Sequence, residues 1–170
     1  TIGLVFLVLL LVIVGVRRNM RSSNASSAKS IKVQVDKNFD FLALNNLGKA
    51  SGAKIKLKMT DAEKTDQVSV KDQTFTAKNN KTFLIINLEL RNDETMVQNI
   101  MPGDLVRLAI AGSDDTRYAP DLHNSLVGIA AISTKSDRVG FVIPTEAKNF
   151  KLYVGELVGK KEEVKVDFPY

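Results

Sequence analysis

The chain has 170 residues, 44% of them hydrophobic and 25% charged, which leaves room for one domain plus an appendage and excludes a wholly disordered chain. It contains no Cys and no Trp, so disulfides, thiolate metal sites, cysteine nucleophiles and thiol-linked lipids are excluded. The net charge of +5 does not indicate nucleic acid: Arg17, Arg18, Arg21 and Lys29 stand before Ile31, and the 20 Lys/Arg and 19 Asp/Glu that follow nearly cancel.

The first element is apolar. Ile2, Leu4, Val5, Phe6, Leu7, Val8, Leu9, Leu10, Leu11, Val12, Ile13, Val14 and Val16 are interrupted only by Gly3 and Gly15, with no charge. This composition predicts a hydrophobic helix over residues 1–18. Sixteen helical residues span about 24 Å, short of the ~30 Å hydrocarbon core of a bilayer. The start on Thr1 predicts a processed N-terminus or further residues upstream that complete the span. A cleavable signal peptide would continue into a small-residue cleavage site, whereas Arg17, Arg18 and Arg21 follow here, as suits contact with lipid headgroups.

Taken alone, those arginines place the following domain in the cytoplasm by the positive-inside rule. The β-domain type described below argues for the outside, and the expectation is a single-pass anchor with the domain outside. The rival is a filament subunit in which residues 1–16 pack against like helices. Type IV pilins combine an apolar helix with a β-rich head, but their usual start has Phe first and Glu fifth. This chain has Thr1 and Val5, so the filament reading rests on architecture alone.

Residues 19–30 form a Ser-rich polar linker, and residues 31–170 are expected to be β throughout. Ile31–Val35, Phe39–Phe41 and Ile55–Met59 alternate with the period of two that buries one face of a strand. Short strands are expected at Val68–Val70 and around Phe75. The denser run Thr82–Leu90 suits a central strand covered on both sides. Further strands are predicted at Leu105–Ile110, Arg138–Ile143, Phe150–Leu157 and Val164–Phe168. Turn chemistry separates them at Asn79-Asn80, Asn92-Asp93, Pro102-Gly103, Gly112–Asp115 and Gly159-Lys160, and Lys160–Glu163 reads as a hairpin tip. Asp121–Ala131 lacks alternation and is expected to be a loop or short helix. Lys54, Lys56 and Lys58 point to one side of a strand, as in an edge blunted by charge or a face toward anionic polymer. Seven to nine short strands at this spacing predict an all-β, antiparallel sandwich.

The runs Lys81–Asn92, Pro102–Leu108, Arg138–Pro144 and Phe150–Glu156 resemble those of a small immunoglobulin-like domain of unknown function, found in many membrane-anchored bacterial and archaeal envelope proteins. The resemblance is firm over residues 81–168 and looser from 53. It implies an immunoglobulin-like sandwich outside the cytoplasm with no known catalytic activity, and it carries no binding residues across.

No catalytic or metal motif stands out. Asp121 and the single histidine, His123, with Asp114 or Asp115, offer the mixed ligands that some divalent ions accept. The competing reading makes Asp121, His123 and Asn124 loop-fixing residues. Ser125 or Ser133 with His123 lacks a nucleophile elbow, and neither Asp36 with Asp40 nor Asp114 with Asp115 has the spacing of a Ca²⁺ loop. The expectation is a non-enzymatic envelope protein without cofactor or nucleic-acid partner, acting through contacts with other protein subunits, in a homo-oligomer or a filament. A metal-binding or hydrolytic domain is the reading from another class.

Overall fold

The structure, a computed structural model, describes residues 29–113 and 115–169. The expected helix over residues 1–18, its basic flank and the linker up to residue 28 lie outside the described residues. Among the described residues no helix is long and apolar enough to cross a membrane.

The described chain is all-β and antiparallel. Its strands are β1 (Ser30–Leu44), β2 (Ala50–Thr65), β3 (Gln67–Val70), β4 (Gln73–Thr76), β5 (Lys81–Asn92) and β6 (Gln98–Ile100). One helical turn, α1 (Pro102–Leu105), precedes β7 (Val106–Ile110), β8 (Val127–Ile129), β9 (Ser133–Pro144), β10 (Asn149–Val154) and β11 (Glu162–Asp167). Six strands form one sheet in the order β8-β6-β1-β2-β5-β9, three form a second in the order β11-β10-β7, and β3 pairs with β4 as a separate hairpin.

Alternation explains the packing. From β2, Ile55, Leu57 and Met59 face inward; from β5, Leu84, Ile86, Leu88 and Leu90 do so; from β9, Val139, Phe141 and Ile143. Leu108, Phe150, Leu152, Val154, Val164 and Val166 of the smaller sheet belong to the same buried cluster, so the two sheets share one core. Each of these large side chains contributes roughly 1.5–3 kcal/mol by leaving water.

The dense run in β5 is covered on both faces along its first half. Phe83 and Ile85 turn away from the main core and pack with Val68 beneath the β3–β4 hairpin. In the second half Glu89 and Arg91 are exposed.

Several expectations change in detail. Ile31–Val35 and Phe39–Phe41 are one strand: the register shifts between Gln34 and Lys37, and Asp36 takes φ 46° there, a bulge that preserves pairing on either side. Lys54, Lys56 and Lys58 do not mark an edge. They lie on β2, between β1 and β5, where Lys56 meets Asp93 at 2.8 Å and Lys58 meets Asp36 at 3.1 Å. Asp121–Ala131 contains no helix; Leu122 bridges to Gly140 at the β9 edge, and Val127–Ile129 forms β8. Glu162 and Glu163 belong to β11, leaving Lys160 and Lys161 in the loop before it. Leu105 completes the helical turn α1 and not the start of a strand.

Candidate functional site

Two surface regions are defined by the loops. The first contains the candidate residues from the sequence. Asp121 and His123 both line a crevice of about 310 Å³ between the loop before β8, the β3–β4 turn and β9, together with Ser69, Lys71 and Arg138. Lys71 and Asp72 carry φ 47° and 64°, so a two-residue turn of the I′ hairpin form sets this wall. Leu122 pairs with Gly140 in both directions: its carbonyl accepts from Gly140 N–H at 2.7 Å, and its N–H donates back at 3.0 Å.

The side chains beside this bridge are already engaged. Asp121 Oδ2 accepts the Val142 N–H at 2.7 Å. His123 lies over Gly103, where an added Cβ would fall 2.5 Å from Nδ1, and its Nδ1 is 3.3 Å from the Asn124 carbonyl oxygen. Asn124 donates to Asp137 Oδ1 at 2.6 Å, while Asp137 Oδ2 is buried without a hydrogen bond. Arg138 donates to the Ser69 carbonyl and ties the hairpin to β9.

The crevice therefore brings Asp121 and His123 together but not with the other candidates. Asp115 sits in the exposed turn after β7, and Asp114 lies outside the described residues. Among the described residues no group of three His, Cys, Asp or Glu side chains is arranged to hold a metal ion. Ser133 donates its hydroxyl to the Ala130 carbonyl at 2.8 Å. It stands seven residues along β9 from Gly140, about 23 Å of strand from the bridge beside His123. Ser125 is exposed within the loop that carries His123.

The second region was not visible as a site in the sequence. At the end of the six-stranded sheet where β1 finishes, the β1–β2, β5–β6 and β8–β9 loops display Leu47 (80% exposed), Met96 (72%), Val97 (58%) and Ile132 (73%). Asn45 shapes the first loop, its Oδ1 accepting from Leu47 N–H at 2.9 Å and Lys49 N–H at 3.1 Å. Asn92 shapes the other two. Fully buried, it donates from Nδ2 to the carbonyls of Met96 at 2.8 Å, Ala130 at 3.0 Å and Ile129 at 3.1 Å. Its Oδ1 accepts the Glu94 N–H at 2.9 Å, and Glu94 in turn accepts from Ile132 N–H. A polar side chain thus holds two loops in place so that their apolar tips stay in water. Asn99 links this group to the first loop through the Leu44 carbonyl and Asn46 Oδ1, both at 3.1 Å.

The same end carries an electrostatic brace. Lys56 and Arg91 both bind the Asp93 carboxylate, at 2.8 and 2.6 Å. Hydrogen bonds first from Lys56 and then from Arg91 hold Asp93 below the usual carboxylate range.

No family model matches the chain, and no curated protein matches it. It is similar in structure to a conserved hypothetical protein from Bacillus anthracis, known from a crystal structure. The TM-score is 0.51 at 13% identity, over 80% of this chain and 97% of that one. At that identity the likeness concerns the fold alone.

Proposed function

We propose that this chain is a non-enzymatic envelope module: an immunoglobulin-like sandwich held to a membrane outside the cytoplasm by its apolar N-terminal segment, acting through protein contacts made by its far end. The immunoglobulin-like reading draws support from two antiparallel sheets that share one core. The anchoring reading draws support from the uncharged run between Ile2 and Val16.

One observation carries the proposal, the division of the domain between its two ends. The chain enters β1 at Ser30, and the exposed apolar loops stand where β1 ends, about 50 Å of strand away. Loops pinned from beneath with apolar tips in water suit association, because burying those tips on a partner recovers the free energy that their exposure withholds.

The test is blue-native electrophoresis of the full chain extracted from its own membranes. A variant carrying Leu47→Lys, Met96→Lys and Ile132→Lys should stay with the membrane but lose the larger complex that the unchanged chain forms. An unchanged complex in the triple variant removes the far end as the contact. The lack of Cys supports a clean companion measurement. Gln73→Cys, on the exposed β3–β4 hairpin away from the proposed contact, should react with a membrane-impermeant maleimide on intact cells, and protection there contradicts the outside placement.

A further inference from the structure

The opposite end of the domain, where the chain enters at Lys29, is chemically different. A cavity of about 390 Å³ opens between the start of β1, the end of β2 and the turn before β5. Lys29, Lys64, Lys78 and Lys81 line it, against one carboxylate, Asp66. The 21 Lys/Arg and 19 Asp/Glu of residues 29–170 differ by two, and these five side chains contribute three net positive charges. The cavity therefore holds more than the entire positive excess of the domain.

Pairing is also distributed unevenly. On the open face of the six-stranded sheet, Lys32, Lys56 and Lys58 each have a carboxylate, at 3.3, 2.8 and 3.1 Å. Among the described residues, none of the four cavity lysines forms a salt bridge. Asp66 Oδ1 accepts the Lys29 backbone N–H at 3.0 Å.

Two features preorganise the site. Lys64 donates to the carbonyls of Thr145 and of Ala147, the latter at 2.7 Å, so its ammonium is fixed at the cavity wall. Asn79 and Asn80, both at φ 56°, form a tight turn closed by Lys81 N–H on the Lys78 carbonyl at 3.1 Å. That turn brings Lys78 and Lys81, its first and last residues, together at the cavity. Burial, then the neighbouring Lys148 and Lys29, push the Lys64 ammonium below its usual range against an opposing effect of Glu146.

We propose that this lysine-lined cavity binds a phosphoryl oxyanion. Lysine ammoniums give a compact phosphate charge-assisted hydrogen bonds without the planar match that arginine requires. Two sources supply that chemistry: free phosphate, and the phosphodiester of an anionic lipid headgroup beside the segment that precedes Lys29. Binding of free phosphate requires no membrane, so this inference and the anchoring proposal fail separately.

The test uses the ¹⁵N-labelled full chain in maltoside micelles, which contain no phosphate. Inorganic phosphate is titrated against sodium chloride at matched ionic strength, and dihexanoyl-phosphatidylglycerol against dihexanoyl-phosphatidylcholine. Saturable shifts at the amides of residues 29–31, 64–66 and 78–82 are expected with one or both anionic probes. The tighter probe assigns the source. Lys78→Gln with Lys81→Gln, and separately Lys29→Gln with Lys78→Gln, should each weaken binding at least tenfold while the amides of β2 residues 55–59 keep their positions as a check on folding. Shifts that chloride reproduces, shifts that persist in both folded double variants, or no response to either anionic probe would overturn the proposal.

Discussion

Replacing Asn92 by Ala removes one amide group from the base of the far-end loops. The side chain is fully buried, and four hydrogen bonds depend on it: three donated to carbonyls and one accepted from Glu94 N–H. Two N–H groups serve three carbonyls, so one bond is shared and the effective loss is about three bonds, each roughly 0.5–1.5 kcal/mol net. The Met96 and Ala130 carbonyls belong to exposed residues and can turn to water, whereas Ile129 is fully buried. The expected cost is therefore about 2–4 kcal/mol. With a urea slope of about 2 kcal/mol/M, the midpoint of the full chain in detergent should fall by about 1–2 M. Hydrogen exchange should quicken at Glu94 and Ile132, whose amides close the two loops. Asn92→Asp should cost more at neutral pH, because a carboxylate would then face three carbonyl oxygens with no proton to donate. If Asn92→Ala changes stability by less than about 0.5 kcal/mol, the loops are held by something other than this amide.

Other outcomes follow from the same structure. Gly140→Ala would bring its Cβ within 2.8 Å of Ile85 Cδ1 and 3.2 Å of Leu122 Cβ, so a loss of about 1–3 kcal/mol is expected, with faster exchange at Leu122. Leu57→Ala, at a fully buried position, should cost about 2–5 kcal/mol in denaturant unfolding, while Val158→Ala, at 90% exposure, should cost almost nothing. Asp93 should titrate below the ordinary carboxylate value in ¹³C NMR, and Lys56→Met should move it back up. Because its folded value is depressed, its support is present above the unfolded carboxylate pKa and is lost as pH falls through the folded one.

Much of the fold was legible because alternation dictates it. Ile55, Leu57 and Met59 of β2 and the run from Thr82 to Leu90 appear as strands in sequence and in space. The three-residue strands β6 and β8 were not legible, since Gln98–Ile100 and Val127–Ile129 are too short to show a period and are fixed by pairing with each other. Lys54, Lys56 and Lys58 suggested an edge because sequence reports which face a side chain takes but not which strands lie alongside. The Lys71-Asp72 turn is not marked in the sequence, because it lacks the Gly or Asn that usually accompanies two consecutive positive φ values.

The candidate site was legible only in part. His123 and Asp121 do share a crevice, as their spacing allowed. The far-end loops did not show, because Asn92 looked like turn chemistry and its grip on Met96, Ile129 and Ala130 joins residues up to 38 apart in sequence. The lysine cavity was hidden for the same reason: Lys29, Lys64 and Lys78 come from three separate elements, and only folding gathers them.

The central claim, that residues 1–16 hold the domain to lipid, is tested most directly by flotation. Membranes containing the full chain are washed at alkaline pH and placed beneath a density gradient. The chain is expected to rise with the lipid. Recovery at the bottom, as free protein or as lipid-free fibres, would contradict the claim and, in the second case, favour helix packing within a filament.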